Sequence, residues 1–257
     1  MKITFLGTSS GKSSLKRFHS SILFSLEKNK LLIDAGDGIS RALINCGINF
    51  NSVNGILFTH LHPDHFSGLP ALIVQMKMMN RNKPLEIFIH KSLVEVVEDI
   101  IIRSYILPEK MGFEINYKGF NDDERFNITE KFSFIAKKNS HLRDLEKYQN
   151  KYPSLSFYSA SFLFVINDKK VIYTSDIGSE EDLSLFSEIV PDVFISEVTH
   201  ISPLILLEKI KRIKPNMTYL THYADKDIPA LSEIMANLQN ALKEKVILAE
   251  DGISFDF

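Results

Sequence analysis

Four metal-ligand side chains fall within six residues in His60-Leu61-His62-Pro63-Asp64-His65, directly after the apolar run Gly55-Ile56-Leu57-Phe58. Imidazole and carboxylate are ligands for Zn²⁺ and for similar first-row ions such as Mn²⁺ and Fe²⁺. His60 and His62 are separated by one residue and point to one side if the chain stays extended, whereas Asp64 and His65 must come round in a turn. That arrangement suits two adjacent ions better than one. The bland alternative is a polar loop, but surface histidines seldom arrive three at a time beside an aspartate.

Three more ligand types sit just past runs with strand character. His141 follows Phe132 to Lys137, Asp176 follows Val171-Ile172-Tyr173-Thr174, and His222 follows Met217 to Thr221. His200 comes a little after Ser196-Glu197. Of the eight histidines, only His19 and His90 fall outside such places. Strand ends at one edge of a layered fold can assemble a site from distant parts of a sequence, because a rigid scaffold holds each ligand. Taken singly, each has an ordinary reading as a loop histidine or a turn-forming aspartate. Together they suggest a shared centre, in which a carboxylate such as Asp176 bridges two cations at the roughly 3.5–4 Å spacing of a two-metal hydrolytic site. Asp34, in a Gly-flanked turn, is expected to accept a hydrogen bond from the second nitrogen of a ligand histidine and fix its tautomer, although a plain turn would call for the same residue type.

The elements that must position these residues read as strands in two series, each followed by helices. The first series is Lys2 to Leu6, Ser21 to Leu26, Lys30 to Asp34, Ile56 to Thr59 and Leu85 to His90, with helices over Asp37 to Cys46, Phe66 to Met79 and Leu93 to Tyr105. The second is Phe132 to Lys137, Phe157 to Ile166, Lys170 to Thr174, Val193 to Ser196, Met217 to Thr221, Val246 to Leu248 and Ile253 to Phe255. Its helices are Glu180 to Ser187, Pro203 to Arg212 and Ile228 to Lys243. Asn167-Asp168 is a hairpin turn, and the polar stretch Asn139 to Pro153 a loop or short surface helix. This pattern predicts two sheets packed face to face with helices outside, in one domain over residues 1–257.

Composition narrows the class. Hydrophobic residues at 44% and charged ones at 24% exclude a disordered or fibrous chain. A formal charge of −2 supplies no general field for polyanions, so attraction to a nucleotide must be local. Lys12, Lys16 and Arg17 form either a local basic patch or a solvated loop. The single cysteine, Cys46, can make neither an internal disulfide nor a Cys-rich zinc site. The N-terminal apolar stretch is too short for a signal peptide, and no run nears the roughly 20 apolar residues that span a bilayer. A cytoplasmic protein without a membrane partner is expected.

The chain resembles the metallo-β-lactamase superfamily of binuclear metallohydrolases, and within it the ribonuclease Z-like branch, which includes cyclic-nucleotide phosphodiesterases. The resemblance rests on Thr4-Phe5-Leu6-Gly7-Thr8-Ser9-Ser10-Gly11, Asp34-Ala35-Gly36-Asp37-Gly38, Thr59 to Gly68, Ser175-Asp176 and Thr221-His222. It implies an α/β fold, a four-layer αββα sandwich of two mixed sheets with outer helices. It also implies that His60, His62 and His141 hold one metal, that Asp64, His65 and His222 hold the other, and that Asp176 bridges. Zn²⁺ is the first expectation for both ions, with Mn²⁺ and Fe²⁺ as alternatives. His200 resembles the histidine that precedes the last ligand by a helix and a strand in ribonuclease Z-like enzymes. It is a candidate general acid or transition-state hydrogen-bond donor, or else a structural residue. Glu197 is placed to orient His200 or a water, with a helix-capping role equally open.

The resemblance implies a metal-dependent hydrolase, a nuclease or phosphodiesterase in which the metals make hydroxide available at neutral pH and Asp64 orients or deprotonates that nucleophile. The first expectation is a binuclear phosphodiesterase acting on a small or cyclic nucleotide. The alternatives are a ribonuclease Z-like tRNA 3′ endonuclease and a metal-binding protein without turnover. Ribonuclease Z proper carries a long Gly- and Pro-rich arm that grips tRNA. Here Ser104 to Arg125 is short and includes the acidic run Asn121-Asp122-Asp123-Glu124, which repels phosphate backbones. A homodimer is expected because relatives commonly form one.

Overall fold

The computed structural model describes residues 1–238 and 240–256. It falls into two compact units, one of Met1–Phe120 with Glu250–Phe257 and one of Asn121–Ala249. The first unit begins with β1 (Lys2–Gly7), β2 (Ser21–Leu26) and β3 (Asn29–Ile33), an antiparallel meander. Helix α1 (Ile39–Asn45) leads to β4 (Gly55–Leu57), and α2 (Pro63–Phe66) and α3 (Leu69–Met78) lead to β5 (Leu85–His90). After α4 (Val94–Arg103) comes β6 (Ile115–Phe120). Strands β3 to β6 run parallel. Central strands β3 and β4 read as unbroken apolar runs, Leu31-Leu32-Ile33 and Ile56-Leu57, all buried, as expected for parallel strands covered on both faces.

The second unit repeats this plan. An antiparallel meander of β7 (Arg125–Thr129), β8 (Phe132–Lys138), β9 (Ala160–Ile166) and β10 (Lys169–Tyr173) gives way to parallel β11 (Val193–Glu197), β12 (Met217–Thr221) and β13 (Val246–Leu248). Helix α5 (Pro203–Ile213) links β11 to β12, and α6 (Ile228–Ala236) with α7 (Asn240–Lys243) precedes β13. The core of this unit gathers Ile172, Phe194 and Leu220 from the sheet with Leu206 and Ile210 from α5. The chain then re-enters the first unit as β14 (Ser254–Asp256), antiparallel to β1. Each unit thus holds one seven-stranded mixed sheet with its helices, the element content expected of the α/β fold. Among the described residues no helix is long and apolar enough to cross a membrane.

Several elements differ from the sequence reading, for local reasons. The helix expected over Phe66 to Met79 is two helices broken at Ser67-Gly68, where the Gly68 amide turns aside to the Ala35 carbonyl at 2.9 Å and Pro70 opens α3. The helix expected over Glu180 to Ser187 is a short 3-10 turn, Glu180–Ser184. Strands β6 and β7 were not expected: both are sheet edges of mixed polarity, without the buried alternation that marks an inner strand. The helix expected over Ile228 to Lys243 ends at Ala236 and resumes at Asn240, with Gln239 lying outside the described residues. Asn167 and Asp168 both take positive φ, 47° and 65°, as a two-residue type I′ hairpin requires.

Candidate metal centre

In the first unit the ligand cluster begins where the β4 ladder ends. The Phe58 amide still reaches the Phe88 carbonyl at 3.0 Å, but the Thr59 amide donates to Asp34 Oδ1 at 2.9 Å. The chain stays extended through His62, with φ −62° and ψ 145°. The His60 and His62 rings accordingly lie on one side, centroids 4.8 Å apart. Pro63 then starts α2, as suits a residue with a preset φ and no amide hydrogen. Its single turn brings Asp64 and His65 round, closed by the His65 and Phe66 amides on the His62 carbonyl at 2.9 and 3.0 Å. The His65 ring stands 4.2 Å from that of His60, and His65 Nε2 is 3.7 Å from Asp64 Oδ2. Ligand atoms of His60 and His62 lie within 4.8 Å of one another, as do those of Asp64 and His65.

Asp34 braces this cluster. It follows β3 directly in the left-handed region, φ 59°, which aspartate tolerates better than most side chains. Its buried carboxylate lies 2.7 Å from His65 Nδ1 and accepts from the Thr59 hydroxyl at 2.9 Å and from the Thr59 amide. Thr59 Oγ1 in turn is 3.0 Å from His60 Nδ1. Two histidines are therefore oriented through one carboxylate. Burial raises the pKa of Asp34, opposed by the neighbouring His65 and by these hydrogen bonds. Gly36 is the only residue type that fits beside this turn, since a Cβ there would stand 2.1 Å from the Asp64 carbonyl oxygen.

In the second unit, β8 and β10 both run antiparallel to β9, and β11 and β12 run parallel to β10, so all four end on the same edge of the sheet. His141, Asp176, Glu197 and His222 occupy that edge. The buried Asp176 carboxylate directs its oxygens at two different histidines: Oδ2 is 3.7 Å from His141 Nε2, and Oδ1 is 3.4 Å from His222 Nε2. Both exceed the usual N–H···O range of about 2.7–3.2 Å. They approach the separation of about 3.4 Å between two ligands on one tetrahedral ion with bonds of about 2.1 Å. The donor set is thus imidazole and carboxylate, at ligand-to-ligand spacing, and it fits divalent metals.

His200 is the exposed member of this group. Its Nδ1 lies 3.2 Å from Glu197 Oε1 and 3.9 Å from Asp176 Oδ2, and its ring stacks with that of His222 at 5.9 Å between centroids. Glu197 is fully buried and accepts from the amides of Thr199 and, at 2.9 Å, His200. It does not cap α5, whose N-cap is Ser202. The Thr199 hydroxyl donates to the His222 carbonyl, which ties the Glu197 turn to the histidine that follows β12.

Two supporting residues escaped sequence reasoning. Asn139 is buried and donates to the Asp176 carbonyl at 2.9 Å, while its Oδ1 accepts from the His141 amide at 3.2 Å. Asp182 is buried in the turn after Asp176 and bonds back to Ser140. The signal at Asp182 was its place three residues after Ser179, a capping-box spacing that the structure contains.

A model of the family described as Anti-Pycsar protein Apyc1 matches residues 1–245. The chain belongs to that family. Among curated relatives it is similar to ribonuclease Z of Methanothermobacter thermautotrophicus, 37% identical over 116 residues that cover 45% of this chain and 37% of that protein. The chain therefore spans well under two thirds of the length of this relative. Among solved structures it is similar to human tRNase Z, short form, with a TM-score of 0.74 and 21% identity, covering 100% of this chain and 99% of that one. It is similar also to the metallo-β-lactamase fold protein YhfI from Bacillus subtilis, with a TM-score of 0.74 and 17% identity over 99% and 98% of the two chains. The chain has the metallo-β-lactamase fold, as the sequence motifs led us to expect, and part of it is similar in sequence to ribonuclease Z.

Proposed function

We propose that this chain is a cytoplasmic, binuclear metal-dependent phosphodiesterase that hydrolyses a small or cyclic nucleotide. In this reading His60, His62 and His141 hold one divalent ion, Asp64, His65 and His222 hold a second, and Asp176 serves both, with the two units acting as one domain in a homodimer. The observation that carries it is the Asp176 carboxylate, whose two oxygens face two different histidines at 3.7 and 3.4 Å. A bridging ligand needs that geometry, and a simple ion pair would use one oxygen. Zn²⁺ suits the five imidazoles and two carboxylates. When bound, two such ions lower the pKa of a water and offset charge on the oxygens of the attacked phosphate.

The chain's own side chains supply the rest. Asp64, held at the N-terminal turn of α2, accepts a proton from the attacking water or orients it. His200 has the Glu197 carboxylate on Nδ1, and in its doubly protonated form its Nε2–H would donate a hydrogen bond or proton toward the leaving oxygen. A small substrate is supported by the segment from Ser104 to Arg125. It holds a short 3-10 turn and the strand β6 in place of a tRNA-gripping arm, followed by the acidic residues Asp122, Asp123 and Glu124.

The test is a screen of metal-loaded protein against bis(p-nitrophenyl) phosphate, cyclic mononucleotides, cyclic dinucleotides and precursor tRNA. Hydrolysis of the first and of a cyclic nucleotide is expected. Cleavage of precursor tRNA alone would overturn the small substrate, and bound metal without any hydrolysis would overturn the enzyme.

A further inference from the structure

The loops that carry His141 and Asp176 are tied together by one buried carboxylate that touches neither ligand side chain. Asp182 accepts from the Ser140 amide, 3.1 Å to each oxygen, and from the Ser140 hydroxyl at 2.7 Å. The same Oδ2 accepts from the Gly178 amide at 2.9 Å and the Ser179 amide at 3.3 Å. Ser140 immediately precedes His141, and Gly178 lies two residues after Asp176. A single side chain thus fixes the backbone on both sides of the pair that Asp176 Oδ2 and His141 Nε2 form. The loops are in contact as well as tied: a Cβ on Gly178 would stand 2.3 Å from the Ser140 carbonyl oxygen.

Holding the 3-10 turn Glu180–Ser184 does not require this. Its capping box needs only Ser179 and Asp182, so the three bonds from Ser140 are surplus to the turn. They come from the strand-end loop that presents a proposed metal ligand. We propose that Asp182 is a positioning residue for the metal centre, setting the separation of His141 and Asp176 so that one ion meets both. The inference rests on the proposed binuclear site.

Backbone placement of ligands acts on affinity, and loss of a partner behind a ligand typically lowers it about 10–100-fold. The experiment is chelator competition with Zn²⁺, joined to the visible absorption of the Co²⁺ form, for Asp182→Asn, Ser140→Ala and the ligand variant His141→Ala. Asp182→Asn presents an amide to backbone donors and should weaken the ion held by His141 and Asp176 by about 10–100-fold, with a changed Co²⁺ spectrum. Ser140→Ala removes the 2.7 Å bond and the 3.3 Å contact of the same hydroxyl with Ser179 Oγ but keeps the amide bonds to Asp182, and should give a smaller loss in the same direction.

Should metal-free Asp182→Asn fail to fold, Ser140→Ala decides alone. Wild-type affinity and an unchanged Co²⁺ spectrum in the folded variants would overturn the inference while the site itself stood. If His141→Ala also binds both ions as tightly as wild type, the ligand assignment on which the inference rests has failed instead.

Discussion

The two units share a strand plan and differ in how they hold their ligands. In each, an antiparallel meander turns into parallel strands, and chemistry-bearing residues follow the carboxyl ends: Asp34 after β3 and His60 after β4 in the first, Asp176 after β10 and Glu197 at the end of β11 in the second. Both use left-handed backbone there, with φ 59° at Asp34, 53° at Ser175 and 57° at His222. The first unit packs four proposed ligands between His60 and His65 and braces them with Asp34. The second spreads three between His141 and His222, and Asn139, Asp182 and Glu197 brace them through backbone contacts. A local cluster can depend on one support; a dispersed one needs a support at each strand end.

The largest expected effect tests whether the dispersed set is as necessary as the local one. Asp176→Asn keeps the shape but loses the charge that two cations would share. Hydrolysis of bis(p-nitrophenyl) phosphate should fall by roughly 10³-fold or more, and Zn²⁺ added after EDTA should restore wild type but not the variant. A variant that retained half its activity would mean that Asp176 bridges nothing. Next in size is His200→Ala, expected to lower kcat by about 10²–10³-fold with two ions still bound, because the proposed role of His200 is to donate rather than to ligate. Loss of an ion together with the activity would make His200 a ligand or support.

The difference between the units also decided what was legible in the sequence. The hexapeptide announces itself because its ligands are adjacent, and the local geometry follows from two facts, an extended His-x-His and a proline that starts a turn. His141, Asp176 and His222 were legible only as strand-end residues, and their partition between ions came from resemblance. Strands with buried apolar runs were legible to within one to three residues, the widest miss being the start of β9, expected at Phe157 and found at Ala160. The edge strands β6 and β7 were not, because half-exposed edges lack that pattern. Asn139 and the link from Asp182 to the His141 loop were hidden for a related reason: they act on backbone amides and carbonyls, which every sequence possesses, and the spacing of Asp182 from Ser179 marks only a capping box.

The supports themselves should differ in weight. Asp34→Ala strands the Thr59 amide, the Thr59 hydroxyl and His65 Nδ1 in a buried site, where each lost partner costs about 1–3 kcal/mol. Metal affinity should fall about 10–100-fold and thermal stability with it. Asn139→Ala leaves Asp182 and Glu197 still holding the loop after Asp176, so a loss of only a few-fold is expected in the same chelator assay. Equal losses would erase the distinction between one brace and several.

The smallest effect concerns the return of the chain to the first unit. Asp251 accepts from the Thr8 amide at 2.9 Å, the Thr8 hydroxyl at 2.7 Å and the Phe18 amide at 2.7 Å, so it fixes the loop that follows β1. Burial raises its pKa, opposed by those hydrogen bonds and by Arg17. A carboxyl raised in the folded state favours folding most fully below its unfolded value of about 3.9, and that contribution is lost as pH rises through the folded value. Asp251→Asn stays neutral throughout. In metal-free protein the Tm of the variant should therefore gain on wild type by about 2–4 °C as pH rises from the carboxylate range to neutrality. The opposite drift, with wild type gaining on the variant, would mean that the three donors outweigh burial and that this carboxylate, like Asp182 in the other unit, works as an anchor for backbone amides.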